Sequence, residues 1–205
     1  MLKDILVPLA DSSTDDAAIR FAIEIGRSQD ARVRIIETVY LPPPAIGTPD
    51  PIGLALFNAL LFDAGRPVVV VPPHWRPSGN ACAVVGWKDT PNACRALHAA
   101  IPLLQQVQSV QLVEICRYRD EMDVADTVMP SLIEHLHRWG IAASAIKLPG
   151  QHRRSSEVLV DHANAVKASL VVVGGYGHSR LREWAVGGMT RALLLGAAIP
   201  VLYAH

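Results

Sequence analysis

Residues Val171-Val172-Val173-Gly174-Gly175-Tyr176-Gly177-His178-Ser179, continued by Gly187-Gly188-Met189-Thr190, carry the spacing best suited to chemistry in this 205-residue chain. Leu170 to Val173 is a short apolar run rich in β-branched residues, which predicts a strand buried on both faces of a parallel sheet. It runs directly into glycines, and a second glycine pair opens the helix-like stretch Met189 to Leu195. Two glycine turns around a basic connection (His178, Arg180, Arg182) expose backbone N–H groups about one point. Such groups, with a helix N-terminus, carry partial positive charge, so phosphate is the expected ligand class. The same glycines also suit a plainer role: positive φ after a strand at Gly174 and Gly177, and close packing at Gly187 and Gly188.

The spacing is not a P-loop, since no glycine is followed by Lys-Ser/Thr. Nor is it the dinucleotide fingerprint, because Arg180 stands where a third glycine or alanine belongs. No paired carboxylates and no nucleophile–base arrangement stand out, so His178 lacks a partner for acid–base work and no catalytic residue is assigned. His135 and His137 flank a helix face rather than share one, so no metal site is expected. Cys82, Cys94 and Cys116 are odd in number without CxxC spacing and read as small core residues in a reducing compartment. Nineteen basic against nineteen acidic residues give no basic excess for nucleic acid. No apolar run is long enough to span a bilayer, and a strand containing Asp4 stands where a signal peptide would begin. A cytoplasmic protein without a membrane partner is expected.

The elements that position the glycines follow from periodicity. Ile5 to Leu9 predicts a buried strand, with cap candidates at Asp11 to Thr14. Ala17, Ala18, Phe21, Ala22 and Ile25 share one helical face, closed by Gly26 or Asp30. Val33 to Ile36 is a second strand, so the chain opens β-α-β with a right-handed crossover. Leu41 to Pro51 is a proline-rich loop. Leu54 to Phe62 is an apolar helix, Arg66 to Val71 a strand, and 74–80 a linker. Further on, Thr90-Pro91 caps a helix, Met122 to Trp139 is an amphipathic helix ended by Gly140, and Ile141 to Leu148 is a strand. Ser155 or Ser156 caps the next helix, Gly188 to Ala197 is the last helix, and Ile199 to Tyr203 the last strand. Alternating strands and helices give an α/β, doubly wound open parallel sheet.

The chain repeats itself with a piece missing. Ala83 to Thr90 parallels Ile5 to Ser12, and Val110 to Ile115 echoes Val33 to Thr38. Pro200-Val201-Leu202 echoes Pro67-Val68-Val69. Val33 and Val110 lie 77 positions apart, Pro67 and Pro200 133 apart, so the second copy carries 56 residues that the first lacks. The expected domains are a truncated copy over 1–77 and a complete one over 78–205. The first has Leu54 and Phe57 in place of Gly187 and Thr190, so a nucleotide site is expected only in the second.

Gly174, two residues, Gly177, nine residues, Gly187 resembles the nucleotide loop of the universal stress proteins, and Gly174 to Glu183 with Gly187 to Arg191 resembles their bacterial tandem branch. The resemblance implies strand order 3-2-1-4-5 and a site between the strands ending at Trp87 and Val173, opposite Gly86-Trp87-Lys88. It implies that Gly174, Gly177 and Gly187 line ribose and phosphates and that Thr190 bonds a terminal phosphate. It makes Ile115 and Val173 walls of an adenine pocket, positions equally suited to ordinary core residues. Gly188, beside Met189, replaces a family Ser or Thr, which removes one hydroxyl donor. Lys88 stands where ATP-binding members usually carry Asp, with Asp89 one place late; Lys88 either reaches a phosphate or is a solvated loop residue. The implied function is a non-enzymatic stress or signalling protein binding an adenine nucleotide (ATP, with or without Mg²⁺) in a homodimer, with at most slow hydrolysis. The alternative is a nucleotide-free dimeric interaction scaffold of the same family. A true hydrolase would need the carboxylates and metal motif that this sequence does not display.

Overall fold

Period-two apolar runs and period-3.6 apolar stripes alternate along the chain, and each gives its element. The computed structural model describes residues 4–9, 15–37, 57–63, 65–72, 75–76, 82–117, 120–123, 128–150, 152–175 and 188–205. The opening unit is β1 (Asp4–Leu9), α1 (Asp15–Gln29) and β2 (Arg32–Glu37). Asp15 and Asp16 occupy the first turn of α1, where the helix dipole favours negative charge. Ala17 and Ala22 are buried. Asp30, at φ 51°, ends the helix. Gly26 instead lies inside it, where a Cβ would come 2.8 Å from Val33 Cγ2, so it lets α1 lie close on β2. β1 and β2 run parallel, with Ile5 opposite Val33.

Residues 57 and 58 are α-helical and continue into the π-helix Ala59–Asp63, after which comes β3 (Val68–Val70). The helix expected over Leu54 to Phe62 is therefore wound more widely than expected from Ala59 onward; Leu54 itself, the cap candidates Asp11 to Thr14, the proline-rich loop and most of the 74–80 linker lie outside the described residues. The second part runs β4 (Cys82–Trp87), α2 (Pro91–Leu104), β5 (Ser109–Cys116), α3 (Asp120–Asp123), α4 (Val128–Arg138), β6 (Ala143–Pro149), α5 (Ser155–Ala165), β7 (Leu170–Gly174), α6 (Gly188–Gly196) and β8 (Val201–Ala204).

Caps explain several boundaries. Thr90 accepts from Ala93 N at 3.3 Å and Pro91 takes the first helical position of α2. Of the helix expected over Met122 to Trp139, the described parts are helical in α3 and α4, and residues 124–127 lie outside the described residues. Pro130 lies in the first turn of α4, where its missing N–H costs no intrahelical bond. Gly140, at φ 74°, ends α4 as expected. At α5 the expectation fails: Arg154 is the cap residue and makes no side-chain cap bond, while Ser155 and Ser156 are inside the helix. Burial of Leu159 and Ala163 sets the phase of this helix and turns Ser156 inward, so no serine hydroxyl caps it.

Six strands form one sheet in the order β3-β8-β7-β4-β5-β6, and β1 and β2 form a separate pair. Read from β6 to β8, the five parallel strands show the expected 3-2-1-4-5 order. β3 adds to the β8 edge antiparallel, Val69 opposite Leu202. α2 and α4 cover one face, with Leu97, Leu104, Leu112 and Leu136 buried there. α5, α6 and the segment containing Phe57 and Leu61 cover the other, around Leu159, Leu193 and Tyr203. Each such leucine contributes about 1.5–3 kcal/mol relative to exposure. The opening unit docks through α1: Ile25 packs on the first face, and Gln29 Nε2 donates to Pro102 O at 2.9 Å. Cys82 and Cys116 are buried as expected; Cys94 is exposed on α2 and corrects its assignment to the core. Among the described residues no helix is long and apolar enough to cross a membrane.

Candidate functional site

β4 and β7 are neighbours, Gly86 opposite Val173. From their carboxyl ends the chain departs in opposite directions, because α2 packs on one face and α6 on the other. This is the topological switch point of the sheet, where open α/β sheets bind ligands.

The glycine turn leaving β7 is built against α2. A Cβ on Gly174 would lie 2.7 Å from Ala93 N and from Asn92 C, so only glycine lets the strand pass over the helix N-terminus. Gly175 N donates to Ala204 O at 2.7 Å. Its carbonyl accepts from Asn92 Nδ2 at 2.6 Å. His205 Nδ1 lies 3.1 Å from Asn92 Nδ2 and 3.3 Å from Gly175 O. Arg95 Nη1 donates to Asn92 Oδ1 at 2.9 Å. A guanidinium only donates, which fixes Asn92 with its NH₂ toward the turn. Asn92 and His205 were not legible as site residues: neither belongs to a motif, and only the fold brings them to residue 175.

The other expected residues are distributed around this point. Gly86 gives room to packing, since a Cβ there would lie 2.9 Å from Leu159 Cδ2 and 3.2 Å from Val173 Cγ1. Trp87 is buried in the face covered by α2, whereas Lys88 and Asp89 are exposed in the loop beyond. Ile115 and Val173 share the opposite face, with Leu159 packed between their strands over Gly86. Gly188 opens α6, and a Cβ there would meet nothing within 4 Å among the described residues. Met189 is half-buried and Thr190 is buried. Gly177 and Gly187, together with His178, Arg180 and Arg182, lie outside the described residues. Farther along the strand ends, Lys147 Nζ lies 3.9 Å from Glu114 Oε2, and Glu121 Oε2 accepts from Arg117 N at 2.6 Å.

Two titratable groups are shifted near this region. Tyr203, beside Val173 on β8, is fully buried, and burial pushes its phenol well above the usual range. Among the described residues its hydroxyl has no hydrogen-bond partner, so it is held neutral and apart from any proton relay. Desolvation lowers His162 from its ordinary 6.5, and its Nε2 lies 2.7 Å from Gln111 Oε1. Among the described residues no group of three metal-ligating side chains comes together.

A doubly wound sheet with a glycine turn at its switch point defines an open, mainly parallel α/β class of protein. The sequence pattern of the universal stress protein family matches residues 84–205, and the chain belongs to that family. The fold is similar to that of a universal stress protein from Archaeoglobus fulgidus at 20% identity, over 62% of this chain and 98% of that one, with a TM-score of 0.51. A second one, from Archaeoglobus fulgidus DSM 4304, is 12% identical over 99% of this chain and 86% of its own, with a TM-score of 0.56. A putative universal stress protein from Pseudomonas aeruginosa UCBPP-PA14 is 14% identical over 98% and 81%, with a TM-score of 0.52. No curated protein matches the sequence.

Proposed function

We propose that this chain is a cytoplasmic, non-enzymatic adenine-nucleotide-binding stress or signalling protein with one site, at the glycine turn of residues 78–205. The observation that carries the reading is the turn itself: Gly174 and Gly175 leave β7 at the switch point against the N-terminus of α2. The Gly175 N–H is itself taken by Ala204 O, so the reading rests on the general preference of switch-point glycine turns and helix N-termini for phosphate. Residues 1–77 are a truncated copy in the same proposal. The parallel β1–β2 pair matches β4–β5, and β3 meets β8 as two last strands meet across a pseudo-dyad. With β8 covered, a homodimer would use β6 or the β1–β2 pair, and light scattering on the eluted protein measures its mass.

The test is calorimetric titration of ATP, with and without Mg²⁺, into protein first acid-extracted to reveal co-purified nucleotide. The expected result is micromolar binding that Gly177→Val or Thr190→Val abolishes. No heat up to millimolar ATP, with no co-purified nucleotide, sinks the reading. The second reading, a nucleotide-free interaction scaffold of the same family, is favoured by one observation. Leu159 fills the space over Gly86 between the strands of Ile115 and Val173, where an adenine ring would stack.

A further inference from the structure

The segment Ala59–Asp63 belongs to the opening part of the chain, yet it reaches the glycine turn of the closing part. Leu61 is buried at 1% exposure, with Cδ2 only 2.9 Å from where a Cβ on Gly175 would stand. The next residue, Phe62, meets the ring of His205 edge-on, with centroids 4.7 Å apart and planes at 72°. His205 in turn lies within hydrogen-bond reach of both Asn92 Nδ2 and Gly175 O. Four side chains from three separate stretches therefore converge on one peptide unit. Gly175 is the first residue after β7.

The hydrogen-bond chemistry has a direction. Arg95 holds Asn92 Oδ1, so the amide NH₂ donates to Gly175 O and faces Nδ1 of His205. Phe62 restricts the His205 ring by edge-to-face contact. Leu61 blocks movement of Gly175 on the opposite side from Gly174, whose own approach to α2 leaves no slack.

We propose that Leu61 and Phe62 of the opening part control the glycine turn, acting through the positioning residues His205 and Asn92. This rests on the nucleotide reading for its binding consequence, whereas the control of the turn itself is tested without ligand. Loss of the clamp leaves Gly175 O without its donor and lets the turn reorient.

The experiment compares the full-length protein with Phe62→Ala, Asn92→Ala and Asn92→Asp, using Ile23→Ala on the exposed face of α1 as a control. Amide hydrogen exchange of the ligand-free protein is followed in peptides covering residues 170–178, and ATP affinity is measured by calorimetry. Asn92→Ala is expected to speed exchange there about tenfold and to weaken ATP by a similar factor, the size of one lost hydrogen bond, and Phe62→Ala, which removes an edge-to-face ring contact, to do so by about threefold to fivefold. Asn92→Asp keeps the volume and the bond from Arg95 but cannot donate to Gly175 O, so it should be at least as damaging as alanine. Unchanged exchange in Phe62→Ala and Asn92→Ala overturns the proposal. A wild-type-like Asn92→Asp overturns it too, because the residue would then only fill space. Faster exchange with unaltered ATP affinity in a wild type that binds ATP overturns the control of binding. If the wild type binds no ATP while exchange still responds, the nucleotide reading fails and the clamp on the turn stands.

Discussion

The β1–α1–β2 unit and the β4–α2–β5 unit carry echoing sequences and the same parallel pairing, but among the described residues only the second lies beside the glycine turn. Each first strand is followed in the sequence by an acidic residue, Asp11 in one and Asp89 in the other. What differs is the strand on the far side. β4 has β7 beside it, and the two chains leave for opposite faces; among the described residues β1 pairs with β2 alone. A strand–loop–helix is thus not enough to make a switch point. The divergence arises where the helices after two adjacent strands pack on opposite faces, so it is a property of sheet order rather than of either motif.

The largest effect should come from closing that divergence. Gly174→Ala drives a Cβ to 2.7 Å from the backbone of Asn92 and Ala93, which cannot yield as a side chain would. We expect a loss above about 3 kcal/mol and a fall in Tm of about 10 °C. Gly26→Ala in α1 meets a Val33 methyl at 2.8 Å, touches Ala31 O at an ordinary 3.4 Å and gains helix propensity, so it should stay within about 1 kcal/mol of wild type. Equal losses in a thermal melt would dissolve the contrast between the two units.

Leu61→Ala tests whether the opening residues belong to the core of the larger sheet. Because the side chain is 1% exposed, a loss of about 3 kcal/mol in urea unfolding is expected, in one transition. Two transitions, with only the first shifted, would separate the parts. Gly188→Ser restores the hydroxyl typical of the family where a Cβ would meet nothing within 4 Å among the described residues. Calorimetry should show ATP tightening by about fivefold to tenfold with little change in Tm; unchanged affinity would place Gly188 outside the proposed site.

The smallest effect concerns pH. His162 has its folded pKa below 6.5, so the unfolded chain binds the proton more readily. Its contribution is present above 6.5 and is lost as pH falls from there toward the lowered folded value. His162→Gln should therefore flatten the decline in Tm between about pH 7 and pH 5 by a small amount, the ring being only partly buried. An unaltered slope removes His162 from the account.

Much of this fold was written locally. The β-branched run ending at Gly174, the Thr90-Pro91 cap and Gly140 at positive φ each follow from chemistry within a few residues, and the family resemblance supplied the strand order. The Ser155–Ser156 cap failed because packing of Leu159 and Ala163 set the helix phase. Pro130 is tolerated within the expected helix because it lies in the first turn of α4. The turn's supports were illegible for a different reason. Asn92 is 83 positions from Gly175 and 113 from His205, so no spacing rule joins them. The glycines announced a sharp turn; what holds its carbonyl was a matter of which distant side chains the completed sheet brings there.

The pairing of β3 with β8 also sets an order of events. Val70 lies early in the chain and its partner Val201 almost at the end of the sequence. During synthesis, Val68 to Val70 must wait, unpaired, while both flanks of the parallel sheet are made. The contact has a long closure distance and belongs late in folding. Until the last strand emerges, a three-valine edge is open to wrong partners, and nascent chains stalled before β8 should be the aggregation-prone form.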